Sequence, residues 1–120
     1  VARLAMSTVK AKGRETENRF VEWVNEKYGM LLERRRLNGV LDQGDITGWP
    51  GVCVEVKSGA SLDLPGWLRE LESEIVNSGA DTGFVAVRPK GKPDPDDWYA
   101  VLPLPVLMSL MQESGYLPVV

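Results

Sequence analysis

Val52-Cys53-Val54-Glu55-Val56-Lys57 is the stretch on which the reading of this chain turns. Three valines alternate with a cysteine, a glutamate and a lysine. In a β-strand successive side chains point to opposite faces, so Val52, Val54 and Val56 share one face while Cys53, Glu55 and Lys57 share the other. The valine face reads as buried. The opposite face presents a carboxylate and an ammonium side by side on a strand that is otherwise apolar. Taken alone, such a pair is most often an ion pair on a half-exposed sheet, because Glu-x-Lys is a common tripeptide.

The residues on either side add weight. Trp49-Pro50-Gly51 is a turn signal, and a short strand is expected before it over Gly44–Trp49. An earlier strand, Met30–Leu37, ends at the turn pair Asn38-Gly39. A hairpin folds Asp45, which also suits a turn after Gly44, back beside Glu55. Two carboxylates at one point repel unless a cation or a proton lies between them. Further upstream a helix is predicted over Arg14–Tyr28, stopped at Gly29. On it Glu17 shares a face with Phe20, Val21, Val24 and Tyr28. Glu15 falls on the polar face with Arg19, Glu22 and Glu26, and forms an i,i+4 pair with Arg19. A glutamate early in a helix is favoured by the macrodipole, but one aimed at the core also needs a partner.

Downstream, Asp63 can cap a second helix with Pro65 in its first turn. Leu64, Leu68, Leu71 and Ile75 form its apolar stripe, and Gly79 ends it. Strands are predicted at Gly83–Arg88 and Trp98–Leu102, and a last helix at Leu104–Ser114, stopped by Gly115. The order α-β-β-β-α-β-β-α predicts an α/β fold, a mixed sheet flanked by helices. The crossover through the second helix makes strands 52–57 and 83–88 parallel. Residues 1–13 read as a loosely ordered lead-in to a single domain over residues 14–120.

Composition narrows the chemistry. The chain has 120 residues, 43% hydrophobic and 26% charged, which is the balance of one ordinary globular domain. No apolar run reaches the ~18 residues of a membrane span, and Val1–Ser7 does not resemble a signal peptide. A single cysteine, Cys53, excludes an intrachain disulfide and suits a reducing, cytoplasmic compartment. Histidine is absent, which removes Ser-His-Asp and Cys-His catalysis and zinc sites of the Cys/His kind. Metal and acid–base chemistry must then rest on carboxylates, lysine and tyrosine, and carboxylates favour hard cations such as Mg²⁺ or Mn²⁺. The net charge of −3, from 14 basic and 17 acidic residues, excludes a uniformly basic nucleic-acid binder. The basic residues are nonetheless clustered: Lys10, Lys12, Arg14 and Arg19; Arg34-Arg35-Arg36; and Arg88, Lys90 and Lys92. Acidic residues dominate Asp63–Asp81 and Asp94–Asp97.

Asp45 followed by Glu55-Val56-Lys57, after an α-β-β order, resembles the PD-(D/E)xK nuclease superfamily, and within it the archaeal-type and phage Holliday junction resolvases. The Lys12-Gly13-x-x-x-Glu17 opening, the strand Gly83-Phe84-Val85-Ala86-Val87-Arg88 and the tail from Trp98-Tyr99-Ala100-Val101 to Gly115-Tyr116 are similar too. Together these cover about residues 10–116. Two departures stand out: Gly44 occupies the place of a proline, and Trp67-Leu68-Arg69-Glu70 lacks the glutamine many relatives carry there.

The resemblance implies a restriction-endonuclease-like αβββαβ core with a C-terminal strand and helix. It implies a Mg²⁺-dependent endodeoxyribonuclease that leaves 5′-phosphate ends, with Mn²⁺ substituting, in a phage or prokaryotic cell. Asp45, Glu55 and the main-chain carbonyl of Val56 would hold the metal, with Glu17 joining directly or through water. Lys57 would orient the attacking water or stabilise developing charge. Lys12, Arg14, Arg34, Arg36, Lys90 and Lys92 are the expected DNA contacts. Arg34 and Arg36 share a strand face opposite to Arg35. The expected substrate is branched DNA, a four-way junction, cut by a homodimer. The last helix, with Val106, Leu107, Leu110 and Met111, serves either core packing or that dimer. Flaps, forks and linear ends stay open as substrates. A non-catalytic DNA-binding domain and a ribonuclease-H-like nuclease, which does not require Lys57, stay open as alternatives.

Overall fold

The computed structural model of the chain describes residues 2–35, 43–59 and 61–118, with side chains from residue 11 onward. The order of elements is α1 (Ala2–Tyr28), β1 (Glu33–Arg34), β2 (Ile46–Thr47), β3 (Val52–Ser58), α2 (Leu64–Ser78), β4 (Thr82–Arg88), a 3-10 turn at Pro95–Asp97, β5 (Tyr99–Val101) and α3 (Leu104–Glu113). This is an α/β fold with the predicted order of helices and strands.

β3, β4 and β5 form one mixed sheet with β4 in the middle. β3 runs parallel to β4, Glu55 opposite Val85 and Lys57 opposite Val87. β5 is antiparallel to β4. The alternation of β3 sorts its residues as expected. Val54 and Val56 pack with Phe20 and Val24 of α1, while Cys53 packs with Leu71 of α2 and with Val85 and Val87. The sheet is therefore a middle layer, with α1 on the valine face and α2 on the face of Glu55 and Lys57. Burial of these apolar side chains, at about 1.5–3 kcal/mol each, holds the layers together.

Several boundaries differ from the sequence expectation. α1 begins at Ala2, not Arg14, so the backbone of 2–13 is helical and not a loose lead-in. The segment has no proline and is rich in alanine, arginine, leucine, methionine and lysine, which are strong helix formers. β1 is short because the main chain of Leu32 is taken by Asn25: Leu32 N–H donates to Asn25 Oδ1 at 2.8 Å, and Asn25 Nδ2 donates to the Leu32 carbonyl at 3.1 Å. Among the described residues β2 pairs with β1 alone. Tyr28 is 65% exposed and Leu64 is 40% exposed, so each lies outside the core that its helical stripe suggests. The Asn38-Gly39 turn lies outside the described residues.

α2 is closed at both ends as its sequence predicts. Asp63 accepts from Gly66 N–H and Pro65 opens the helix, while Gly79 ends it at φ 72°. The most demanding approach in the sheet is at Gly83, where β4 lies so close to β3 that an added Cβ would collide with the Cys53 carbonyl oxygen. That oxygen belongs to the parallel ladder and cannot retreat without opening it. Gly83→Ala is accordingly expected to destabilise the protein by about 3 kcal/mol, read from the urea midpoint at unchanged m-value. α3 behaves differently from the other helices. None of its residues is buried, and Leu104, Met108, Leu110 and Met111 are all exposed. Among the described residues no helix is long and apolar enough to cross a membrane.

Candidate metal centre

The site begins with Asp45 and the residue before it. Gly44 has φ 96°. A Cβ there would lie 2.8 Å from Cys53 Sγ and 3.2 Å from the Val54 carbonyl oxygen. Only glycine combines that backbone with so close an approach to β3. A proline, fixed near φ −65°, cannot take the position, which accounts for the departure at Gly44. The approach lets Asp45 dock on β3 with backbone and side chain together. Its N–H donates to the Val54 carbonyl at 3.0 Å, and its Oδ2 accepts from Val56 N–H at 2.8 Å. Its own carbonyl accepts from Arg35 N–H at 2.7 Å. The predicted return of Asp45 to Glu55 is thus achieved by hydrogen bonds at one residue, without a regular β2–β3 ladder.

Glu55 is 2% exposed, and its Oε1 is buried without a hydrogen-bond partner. Burial pushes its carboxyl up to about 8. A hydrogen bond with Glu74 draws it back, Asp45 and Glu70 raise it further, and Lys57 lowers it. Lys57 Nζ lies 2.9 Å from Glu70 Oε2 and 3.5 Å from Glu55 Oε2. Burial alone would lower its pKa, but the hydrogen bond to Glu70 and the charges of Glu55, Glu70 and Asp45 outweigh it and hold the ammonium above its ordinary value. Lys57 therefore stays protonated at neutral pH.

Glu17 approaches Asp45 from α1. Its carboxyl is pushed up to about 7, first by burial and then by the charge of Asp45, while Arg34 and Arg14 pull the other way. Arg34 Nη1 stands 3.8 Å from Glu17 Oε2. Glu15 keeps to the polar face of α1 and pairs with Arg19 at 2.6 Å. Asp45 links the expected residues: its charge acts on Glu17 from one side and on Glu55 and Lys57 from the other. Val56 is tied in through its N–H.

Two further members are not evident from the sequence pattern. Glu70 and Glu74 project from α2, and ligand atoms of Glu55, Glu70 and Glu74 lie within 4.8 Å of one another. Glu74 is 1% exposed. A signal for them does exist. Glu70 and Glu74 are spaced i,i+4, where like charges are unfavourable on an isolated helix, and Glu74 stands one turn beyond the buried Leu71. They occupy the side of the site where a glutamine is absent.

The expected DNA contacts fare unevenly. Arg34 is paired to Glu17. Arg14 is exposed on α1 and lines a surface groove with Glu15, Asn18 and Arg19. Lys12 and Lys90 line one small cavity. Lys92 is exposed, and its carbonyl accepts from Trp98 Nε1 at 2.7 Å. Arg36 lies outside the described residues. A separate groove of about 420 Å³ lies on the α1 side of the sheet, walled by Trp23, Trp49, Phe84 and Trp98. None of the clustered carboxylates lines it. No protein-family model, curated protein or solved structure matches the chain.

Proposed function

We propose that this chain is a Mg²⁺-dependent endodeoxyribonuclease that hydrolyses phosphodiester bonds in branched DNA, with the four-way junction as substrate. One observation carries the reading. Glu55, almost wholly removed from water and with Oε1 unpartnered, faces carboxylates contributed by α2 and by the segment before β3. A buried cluster of carboxylates is costly to ionise unless a cation offsets it. The donor set is all oxygen, which fits a hard divalent cation. Asp45, Glu55 and the Val56 carbonyl would hold the ion, Glu17 would complete the set from α1, and Glu70 and Glu74 would close it from α2. When bound, Mg²⁺ supplies Lewis-acid polarisation of the scissile phosphate and a more acidic water.

The remaining roles belong to the chain's own groups. Lys57 is protonated at neutral pH and so cannot abstract a proton there. It acts as a compact cation that donates to the attacking water or to a phosphate oxygen. Glu70 keeps that ammonium beside Glu55. The β3–α2–β4 crossover, with the metal-binding residues on β3, suits the restriction-endonuclease-like core that the resemblance implies. The exposed apolar residues of α3 are the face we assign to a second copy of the chain, since two paired nicks in a two-fold junction call for a two-fold enzyme.

A cleavage panel tests this directly. Four-way junction, flap, fork and linear duplex are each incubated with protein in Mg²⁺ or EDTA. Symmetric paired nicks in the junction, lost in EDTA, are the expected result. Cutting that persists in EDTA would overturn the metal mechanism. Cutting confined to flaps or to linear ends would overturn the junction.

A further inference from the structure

We infer that the cavity bounded by Lys12, Ser58, Gly59, Arg88, Lys90 and Gly91 is a subsite for one phosphate of the bound nucleic-acid strand, at the end of the strand that carries Glu55 and Lys57. The inference rests on the nuclease reading for its choice of ligand, but its geometry is independent of the metal. The cavity has a volume of about 110 Å³, and three cationic residues line it with no carboxylate among the lining residues. In a chain of net charge −3, three cations lining a cavity free of carboxylates are a local reversal of sign.

The subsite is assembled by three elements. Ser58 and Gly59 continue directly from Lys57, so one wall is the end of the strand that carries Glu55. Arg88 ends β4, opposite Ser58 in the parallel register. Lys12 comes from α1, five residues before Glu17, or about 7.5 Å along the helix axis. A strand with one phosphate at Lys57 can therefore set a neighbouring phosphate in this cavity.

Arg88 is the best-prepared group. Its side chain is 13% exposed. Nη1 donates to the hydroxyl of the buried Thr16 at 3.1 Å and to Glu15 Oε2 at 3.4 Å, and the guanidinium lies over Trp98, 6.0 Å from the ring centroid. Its Nε and Nη2 have no hydrogen-bond partner among the described residues. The fork is thus held at one nitrogen with donors to spare, which suits a phosphate. Lys12 and Lys90 are exposed and can close over the anion. Ser58 contributes a hydroxyl, and the two glycines leave the main chain bare of side chains where the anion enters.

Convergence on one phosphate makes a quantitative prediction. The salt dependence of binding falls by about one unit of slope for each phosphate that is no longer neutralised. Lys12→Ala/Lys90→Ala removes two exposed side chains and should leave the fold intact. Anisotropy titrations of a labelled four-way junction in EDTA, at several salt concentrations, should show about tenfold weaker binding and a slope lower by about one, not two. Adding Arg88→Lys, which keeps the charge while losing the fork, should then change neither binding nor slope, because the one phosphate contact is already lost. An unchanged slope, or a fall of about two units, would overturn the single subsite.

A second measurement needs no DNA. Titration with inorganic phosphate, followed by amide NMR shifts, should move Ser58, Gly59 and Gly91 in the wild type and not in the double variant. Shifts elsewhere, or equal shifts in both proteins, would overturn the subsite. The two proposals fail separately. A wild type that binds phosphate here but neither binds nor cuts any DNA loses the nuclease reading and keeps the anion site. A double variant that binds and cuts junctions like the wild type loses the subsite and keeps the nuclease.

Discussion

Glu55→Gln is expected to abolish junction cleavage, by about 10³-fold or more, and to raise the melting temperature of the metal-free protein. The two effects have one cause. The Glu55 carboxyl is buried among Glu70, Glu74 and Asp45, and its pKa is pushed up to about 8. Its ionised form is therefore disfavoured in the folded state at neutral pH, and a bound cation would favour it. Glutamine keeps the shape, removes the charge and offers an amide that the neighbouring carboxylates can accept. The metal-free protein should gain about 1–2 kcal/mol near pH 8, seen as a rise of several degrees in melting temperature. On the proposed mechanism the loss of activity would follow from the loss of a metal-holding carboxylate, since about 4 kcal/mol of transition-state stabilisation corresponds to 10³-fold. Retained cleavage would remove Glu55 from the mechanism. A large fall in melting temperature in EDTA would contradict the electrostatic account of the site.

The second large effect is a reversed pH dependence of stability. Glu17 and Glu55 rise from 4.5 in the unfolded chain to about 7 and about 8 in the folded one. Each binds more protons folded than unfolded, so each favours folding in acid. The contribution is fully present below pH 4.5 and is lost as the pH rises through 7 and 8. The lowered carboxyls, Glu15 and Asp96, are fully exposed, and their contribution is lost only as the pH falls below 4.5, outside this window. In EDTA the melting temperature should therefore drop by roughly 10 °C between pH 5 and pH 8.5, from about 2–4 kcal/mol of lost stability. Mg²⁺ should restore much of this at pH 8 and little at pH 5, because a cation competes with protons for the same oxygens. Thermal melts at both pH values, with and without Mg²⁺, read both halves. A metal response that is equal at the two pH values would place the ion elsewhere.

Most of what positions the site is legible in local chemistry. The period-two alternation of Val52–Lys57 assigns the faces of β3, and the helical spacing of Glu17 against Glu15 selects the inward carboxylate. Both are short-range patterns. The cap at Asp63 and the stops at Gly29, Gly79 and Gly115 are legible for the same reason. Glu70 and Glu74 are not, because a glutamate on a helix reads as solvated until the helix is known to pack over Glu55 and Lys57. Arg88 reads as one of a cluster, but its partner Thr16 is 72 residues away in sequence. Among the described residues β1 and β2 are shorter than the strands expected, because Asn25 and Asp45 satisfy backbone groups that a ladder would otherwise use. α1 outruns its expected start at Arg14 because the residues before it also sustain a helix.

Asp45 also joins the two sheets. Its carbonyl receives Arg35 beside the two-stranded sheet, while its N–H and carboxylate are engaged by Val54 and Val56 in the three-stranded one. The aspartate is a seam between two sheets that share no strand. If the proposed site takes up a cation, the effect should be felt as hydrogen-exchange protection at Arg35 and at Val56 together, since both amides are bonded to Asp45. Asp45→Glu, which spares the charge but changes the reach of the side chain, would separate the sheets before it emptied the site.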